Sequence, residues 1–570
     1  MPEPMIKPDP ARLVVPRRQG RVLIEPGGEV LAVALTQKAV GKQNRAREGA
    51  GADGVAWEEV RAVARADLVR QIQAHAADCG EALETWAGLV ALDRPWVITG
   101  HQVEFYHAGV WAKVIAADAL ARATGACAID LLVDHDELDH LGFDVPVQES
   151  DHWRRRSVTW ATAGTGAAME SLLAPGLPVF EEWDAELARS PLAHSDALAL
   201  VLAALRPREG GGRPEPYALW MSRARQRLEA ALGIAVHHVR TSAMCESRAW
   251  HWFGLEWIRH GREWSDCYNR QLAAYRKRAG IHNPSQPMPD LQRTGEDQEL
   301  PFWVYKLGEP RHRLTVRTSA RGDALVYDER EIPIHGALAA QGWAAADQLR
   351  EILVREQLVL RPRALTLTLF VRLFLADLFL HGIGGALYDQ ITDGILQEIW
   401  GGVPAYGCVS AAWLLGEISA GNGGGTAGDG AEQATPTELA HLRHHWVHNP
   451  QLALDVFTAR QPALADLLAQ RTALVERLTT AVRNARSEER LQRREWFDRL
   501  GQVNAAVHAR YPTALTRLDA QIAAARRQVE DNKVRYWREY YVGIHSLESL
   551  GRLVATIRKG CAAGESAQGG

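Results

Sequence analysis

The stretch Ile98-Thr99-Gly100-His101-Gln102-Val103-Glu104-Phe105-Tyr106-His107-Ala108-Gly109-Val110-Trp111-Ala112-Lys113 decides how the chain is read. Just before it, Trp96-Val97-Ile98 is short, apolar and partly β-branched, the pattern of a buried strand. Gly100 lets the backbone turn without a Cβ in the way. From Val110 onward the apolar residues Val114, Ile115, Ala117 and Leu120 follow a helical pattern. The reading is a strand, a turn carrying His101, Gln102 and His107, and then a helix. In an open α/β sheet ligands sit at such a place, outside the carboxyl end of a strand and against the free N–H groups of a helix start. It suits a phosphate or a carboxylate.

A second strand, Ala128-Ile129-Asp130-Leu131-Leu132-Val133, runs into Asp134-His135-Asp136-Glu137-Leu138-Asp139-His140 and completes a βαβ unit. Asp134 and Asp139 read equally as ordinary caps, and the histidines as solvated side chains. Two polar turns after two consecutive strands set one shared site against that bland reading. A third polar turn is Phe379-Leu380-His381-Gly382-Ile383-Gly384-Gly385-Ala386-Leu387-Tyr388-Asp389. Its Gly382, Gly384 and Gly385 let backbone N–H groups approach a ligand, with His381, Tyr388, Asp389 and Asp393 supplying titratable groups. No Gly-Lys-Ser/Thr follows, so it is not a Walker-type phosphate loop. The alternative is a tight helix–helix turn with Asp389 near a helix start. The three turns are expected to converge, with Gln102, Asp136 and Tyr388 lining one crevice.

Length and composition bound the rest. At 570 residues the chain calls for two to four structural units, and 46% apolar with 24% charged residues is a globular balance. A formal net charge of -4 gives no hint of a nucleic-acid partner. The six cysteines are scattered without CxxC spacing, which argues against a disulfide framework or a structural zinc site. Residues 1–10 do not read as a signal peptide, and the most apolar run, Leu365 to Leu380, is interrupted by Arg372 and Asp377. The expectation is a soluble, cytoplasmic protein with no membrane partner.

Along the chain, short strands are expected at Leu13–Val15 and Val22–Ile24, and helices at Trp57 to Cys79 and around Leu83 to Leu89. Val236–Arg240 reads as a third strand of the sheet, containing His237 and His238, at least one a satisfied core histidine. Trp250 to Arg278 reads as mostly helical, weakened at Gly254 and Gly261. A hairpin is expected from Phe302–Tyr305 and Leu314–Arg317, and a further strand at Arg361 to Leu369. Residues 208–212 and 421–433 are Gly-rich and read as flexible. Between Pro462 and Pro512 there is no proline, and Leu464, Leu467, Leu474, Leu478 and Val482 make an apolar stripe that Leu491, Trp496, Leu500, Val503 and Val507 extend. A second stripe, Leu515, Leu518, Ile522 and Val529, follows Tyr511-Pro512, so two long helices are expected to turn there as an antiparallel coiled-coil hairpin.

These residues resemble the BshC family, the cysteine-adding enzymes of bacillithiol biosynthesis. The family opens its core with a Gly-Gln-Gln turn, a Gly and a helix, to which Gly100-His101-Gln102 and His107-Ala108-Gly109 are similar. It has a strand ending in Glu-Asp-His-Asp, which Val133-Asp134-His135-Asp136 resembles. Its later Gly-rich turn followed by a Tyr is similar to His381–Gly385 with Tyr388, and its Tyr-containing return to Arg538-Glu539-Tyr540-Tyr541. His101 replaces the first Gln and Val133 the acidic residue, which marks a divergent branch.

The resemblance implies an α/β fold with a Rossmann-like core, inserted connecting subdomains and a C-terminal α-helical coiled-coil hairpin. The expected division is 1–141 for the first part of the core and 142–335 for a further core strand and helices with inserted segments. Residues 336–460 are the second part of the core with the Gly-rich turn, 461–545 the coiled coil, and 546–570 a return and tail. It also implies a nucleotide-binding ligase that joins cysteine or a similar donor to an amino-sugar-type or other small amine, with ATP or ADP and Mg²⁺ as candidate cofactors. On this reading Asp134, His135 and Asp136 orient the amine or hold a divalent ion, for which such oxygen-rich ligands suit Mg²⁺ or Mn²⁺. His101 and His107 contact phosphate or act as acid–base groups. Gly100, Gln102, Gly109, His381, Gly382, Gly384, Gly385, Tyr388 and Asp389 bind substrate or nucleotide. A homodimer through residues 462 to 540 is expected. From a different class, the alternative is a non-catalytic dimeric scaffold that retains a small-ligand pocket.

Overall fold

Six short segments, most of them strongly apolar, pair into one sheet. Its order is Val22–Glu25, Tyr406–Ala411, Leu378–His381, Trp96–Gln102, Cys127–Val133 and His237–Arg240. The first, an edge strand, is antiparallel to its neighbour; the other pairings are parallel, with Ile98 between Phe379 and Ile129. Trp96, Val97, Ile98, Ile129, Leu131 and Leu380 are all buried, as the continuous apolar runs of a sheet covered on both faces should be. The structure is a computed structural model and describes residues 6–36, 49–80, 90–138, 140–150, 152–162, 166–188, 195–206, 215–320, 322–415, 434–450, 462–480 and 487–562. The expected helix near Leu83, the loops at 208–212 and 421–433, and Asp139 lie outside the described residues. Among those residues, no helix is long and apolar enough to cross a membrane.

The winding of this sheet determines where a ligand can sit. From Trp96–Gln102 the chain passes through the helix Ala108–Thr124 to the strand on one side, Cys127–Val133. From Leu378–His381 it passes through Ile383–Trp400 to the strand on the other side, Tyr406–Ala411. Right-handed crossovers in opposite directions put their helices on opposite faces. The packing agrees: Ala108–Thr124 is covered by Gly28–Ala34 and Leu547–Ala562, and Ile383–Trp400 by Gly261–Ala279 and Ala364–Phe374. The winding therefore reverses between two adjacent strands, Leu378–His381 and Trp96–Gln102, and outside the carboxyl ends of strands at such a reversal open α/β sheets form their ligand crevice.

A second, antiparallel sheet runs Arg330–Pro333, Gly322–Tyr327, His312–Ser319, Asp297–Tyr305 and Val359–Pro362, and contains the expected hairpin. His140–Glu149 and His152–Thr162 pair as a separate two-stranded piece. The helix at Trp57–Cys79 has the expected bounds, and Arg248–Arg259 and Gly261–Ala279 divide the expected long helix at His260.

Two expected strands are absent. Leu13–Val15 is irregular after the short turn Pro10–Arg12, with Val14 69% exposed; Pro10 and Pro16 bracket it and bring no N–H for a ladder. The expected strand Arg361–Leu369 is instead the end of Val359–Pro362 followed by the helix Ala364–Phe374. Leu365, Thr366, Thr368 and Leu369 are all buried, and an element buried all round shows no periodicity that separates strand from helix.

The chain divides into two compact units, one of Met1–Val147, Arg155–Leu415 and Trp537–Gly570, the other of Gln148–Arg154 and Gly416–Tyr536. In the second unit Pro462–Thr480 and Ser487–Ala509 run antiparallel: Leu464 clusters with Val507, and Arg471 Nε donates to Asn504 Oδ1 at 2.9 Å. The first apolar stripe, expected along one long helix, is thus split between two that face each other. Pro436–His448 packs along Ala514–Arg535, and Trp446, Leu464, Val507, Ala514 and Leu518 form the shared core.

Candidate functional site

The three polar turns leave three adjacent parallel strands of one sheet, and side chains of two of them are hydrogen-bonded to each other. Gln102 Nε2, at the end of its strand, donates to Asp136 Oδ2 at 2.5 Å. Arg311 Nη1 donates to Asp136 Oδ1 at 2.7 Å, and its other nitrogen pairs with Glu137 at 3.1 Å. The guanidinium lies over the Trp303 ring, 4.9 Å from its centre, so the antiparallel sheet supplies a cation to this edge. Tyr388 stands in the second turn of Ile383–Trp400; burial pushes its hydroxyl up to about 12, and the charges of Asp389 and Asp136 add to this.

The start of the Ile383–Trp400 helix is bare. Gly382 is its N-cap and offers no side chain, and the first turn holds no acid. The first-turn N–H groups of Ile383, Gly384 and Gly385 are those a helix leaves without intrahelical partners. A Cβ at Gly384 would meet nothing within 4 Å, so the approach is open, whereas one at Gly385 would stand 2.7 Å from His381 Nδ1. Gly385 is therefore required by packing.

Several residues assigned to chemistry from the sequence face inward instead. Asp134 is fully buried and accepts from Ser242 N at 2.8 Å, Ser242 Oγ at 2.5 Å and Thr241 Oγ1 at 3.0 Å. It fastens the short helix Thr241–Met244 to the strand end, and burial, with Glu170 nearby, raises its pKa. His135 Nδ1 lies 2.7 Å from Thr241 Oγ1, and burial brings the imidazole down to about 4. His107 is the N-cap of Ala108–Thr124, its Nδ1 accepting from Gly109 N at 3.0 Å. Burial first, then the charges of Arg538 and Lys113, hold it down to about 4. Gly109 admits Arg538, whose Nη2 would be 2.6 Å from an added Cβ. His101 packs edge-on to Tyr106 with ring centres 5.4 Å apart; burial and the charge of Lys113 bring it down to about 3. These imidazoles are neutral at pH 7.

Asp389 and His381 lie beneath the Gly-rich turn. Asp389 Oδ2 accepts from Arg372 Nη1 at 2.6 Å and lies 2.9 Å from His381 Nε2. Burial works to raise the Asp389 pKa, but Arg372 and His381 outweigh it and hold the carboxyl below its usual range. Of the five residues assigned catalysis, Asp136 alone keeps its carboxylate among the groups of the other two turns. Among the described residues, no group of three or more His, Cys, Asp or Glu side chains has the arrangement of a metal site. The divalent-ion role of Asp134, His135 and Asp136 is not supported by this geometry, since Asp134 is enclosed and Asp136 is taken by Gln102 and Arg311.

The sequence reading assigned no role to two residues of the crevice. Arg311 arrives from an insertion 175 positions away from Asp136, which nothing local announces. Lys113 did carry a signal: it is a lone cation in the apolar run Val110–Leu120 with no acid three or four positions away. Its Nζ donates to Gly100 O at 2.8 Å, and its Cδ would be 4.0 Å from a Cβ on Gly382. Compared with protein-family models the chain matches none, and no curated protein matches it.

Proposed function

We propose that the chain is a BshC-like ligase of bacillithiol-type biosynthesis with a Rossmann-like core, joining cysteine or a similar small donor to an amino-sugar-type or other small amine. The observation that carries this reading is the hydrogen bond between Gln102 and Asp136 beside the reversal point of the parallel sheet, with Tyr388 near enough for the charge of Asp136 to act on its hydroxyl. Ligands of open α/β sheets bind at such a point. An amine would reach Asp136 by exchanging for one of the donors, Gln102 or Arg311, that hold its two carboxylate oxygens. The bare helix start at Gly382 suits the phosphates of ATP or ADP, because its amide donors and positive dipole end favour an anion. The donor set does not suit Mg²⁺, so no step of the reaction is assigned to a metal here. The six cysteines are free and buried, which supports a reducing, cytoplasmic setting.

The experiment is a thermal-shift screen of the full chain against ADP, ATP, glucosamine and cysteine, with and without Mg²⁺. Binding to the folded state raises the melting temperature by mass action, so a nucleotide and an amine should each do so. No shift with any of them at millimolar concentration removes the ligase reading.

A second reading, a non-catalytic dimeric scaffold, draws on the helical unit. There Leu491, Phe497 and Val529 are 65%, 67% and 41% exposed, apolar side chains that a partner surface would cover. We read residues 462 to 540 as a coiled-coil region that forms a homodimer, with or without catalysis. Light scattering should give twice the chain mass at micromolar concentration, and a monomer there ends the dimer reading.

A further inference from the structure

The buried cations of the larger unit follow one rule, with one exception. Arg65 pairs with Asp377 at 3.0 Å, Arg361 with Glu170 at 2.9 Å, Arg363 with Glu299 at 2.6 Å, Arg372 with Asp389 at 2.6 Å, and Arg225 with Asp130. Lys113 is 4% exposed and, among the described residues, has no carboxylate within ion-pair distance. Its hydrogen-bond acceptor is the Gly100 carbonyl, one partner for three N–H donors. The groups around it do not balance the charge. His101 and His107 are neutral, burial pushes the Cys408 thiol up to about 12, Asp130 is taken by Arg225, and Arg225 adds positive charge. An ammonium buried without a counter-charge is costly.

The position of this charge gives its use. Lys113 rises from the helix on one face of the sheet, bonds to Gly100 at the end of one strand and passes under Gly382 at the end of the next. Gly382 caps the helix on the other face, whose first turn has neither a capping side chain nor an acid. The lysine side chain therefore runs close beside the positive end of a helix dipole that carries no capping side chain and no first-turn acid.

We infer that the crevice takes a compact oxyanion, a phosphate or a carboxylate, whose charge is met by Lys113 and by the first-turn amides of Ile383, Gly384 and Gly385. This deepens the ligase reading and rests on its placement of the ligand, since it names the anionic group that the substrate or nucleotide must carry. It makes Lys113 a substrate-contacting residue. Burial brings its ammonium down to about 8, so it is charged at neutral pH, and affinity for the anion falls as pH rises above that value.

The test is calorimetric titration of the full chain with inorganic phosphate, pyrophosphate, malonate and ADP, for the wild type and for Lys113→Met. Phosphate or malonate should bind the wild type, and the better of the two identifies the oxyanion. Lys113→Met should weaken that binding about tenfold or more, as loss of a charged hydrogen bond does, while the empty variant melts no lower than the wild type. Binding to the wild type should also decline as the pH is raised from neutral to alkaline, a measurement that does not depend on the variant folding. Unchanged affinity in a folded Lys113→Met, wild-type affinity flat across pH, or no binding of either oxyanion overturns the inference. If ADP binds equally to wild type and variant, the ligase reading stands and this inference falls. If phosphate binding depends on Lys113 while ADP, glucosamine and cysteine do not bind, the inference stands and the ligase reading falls.

Discussion

Arg372 and Lys113 are buried cations of the same unit, placed beneath and at the edge of one crevice, and they are provided for in opposite ways. Arg372 has no exposed side-chain surface; it bonds Asp389 at 2.6 Å, Asp393 at 2.9 Å and the Pro404 carbonyl at 2.7 Å, and lies 4.3 Å from the centre of the Tyr406 ring. It ties Ala364–Phe374 to Ile383–Trp400 and so fixes the Gly-rich turn from below. Lys113 has one carbonyl. A charge satisfied within the fold acts on structure, and a charge left with spare donors at a strand end is kept for something that arrives from outside. The same contrast separates Asp134, enclosed by Thr241 and Ser242, from Asp136, whose partners Gln102 and Arg311 stand at the crevice.

The largest effect should come from the satisfied side of this pair. Arg372→Met takes from the buried Asp389 and Asp393 the guanidinium they share, leaving Asp389 with His381 and Asp393 with the half-exposed Lys7. Removing one partner of a buried pair costs about 3–5 kcal/mol, so urea unfolding should show a loss of that order. A loss under about 1 kcal/mol would mean that the cluster is as loosely provided for as Lys113, and the contrast would collapse.

Lys113→Met should move stability the other way. Removing a buried charge that lacks a counter-ion is worth on the order of 1–3 kcal/mol, at neutral pH and without ligand. The sign against pH follows from the depressed pKa, about 8 in the fold against 10.5 for the ordinary side chain. Between those values the unfolded chain holds a proton that the folded chain has released, so wild-type stability rises with pH through that window. The advantage of the Met variant should therefore be full below about 8 and shrink toward 10.5. Destabilisation by Lys113→Met at neutral pH would show that the carbonyl bond alone justifies the lysine.

Much of this arrangement was legible in the chain because it is local. The stretch from Trp96 to Lys113 forms strand, turn and helix within a span that fixes its own geometry, and the strand Cys127–Val133 follows from a mostly apolar run. What was not legible depends on partners distant in sequence. Asp134 points inward because Thr241 and Ser242, more than a hundred residues later, arrive beside it. His107 looks like an acid–base group until its ring is seen accepting from Gly109. The strand Tyr406–Ala411 was missed because Tyr-Gly-Cys-Val-Ser-Ala is short, contains a glycine and has few β-branched residues, and its burial comes from the helices packed on it. In the smaller unit the leucine spacing announced helices but not that Pro462–Thr480 and Ser487–Ala509 face each other antiparallel, since a stripe looks the same whether it continues or folds back.

The smallest effect concerns two adjacent glycines, and it separates a glycine kept for packing from one kept for access. An alanine at Gly385 would press its methyl against His381, 2.7 Å from Nδ1, and should destabilise the fold. An alanine at Gly384 would meet nothing, and the residue lies in the first turn of a helix with no positive φ. On backbone entropy alone, Gly384→Ala should stabilise by about 0.4–1 kcal/mol. The glycine is then retained against a small gain in stability, as expected if a ligand must come within reach of that backbone N–H. Gly384→Ala should thus melt slightly higher than the wild type while binding phosphate or malonate more weakly. A variant that is more stable and binds equally well would show that the ligand does not approach the helix start, and would leave Lys113 to hold its anion from the strand side.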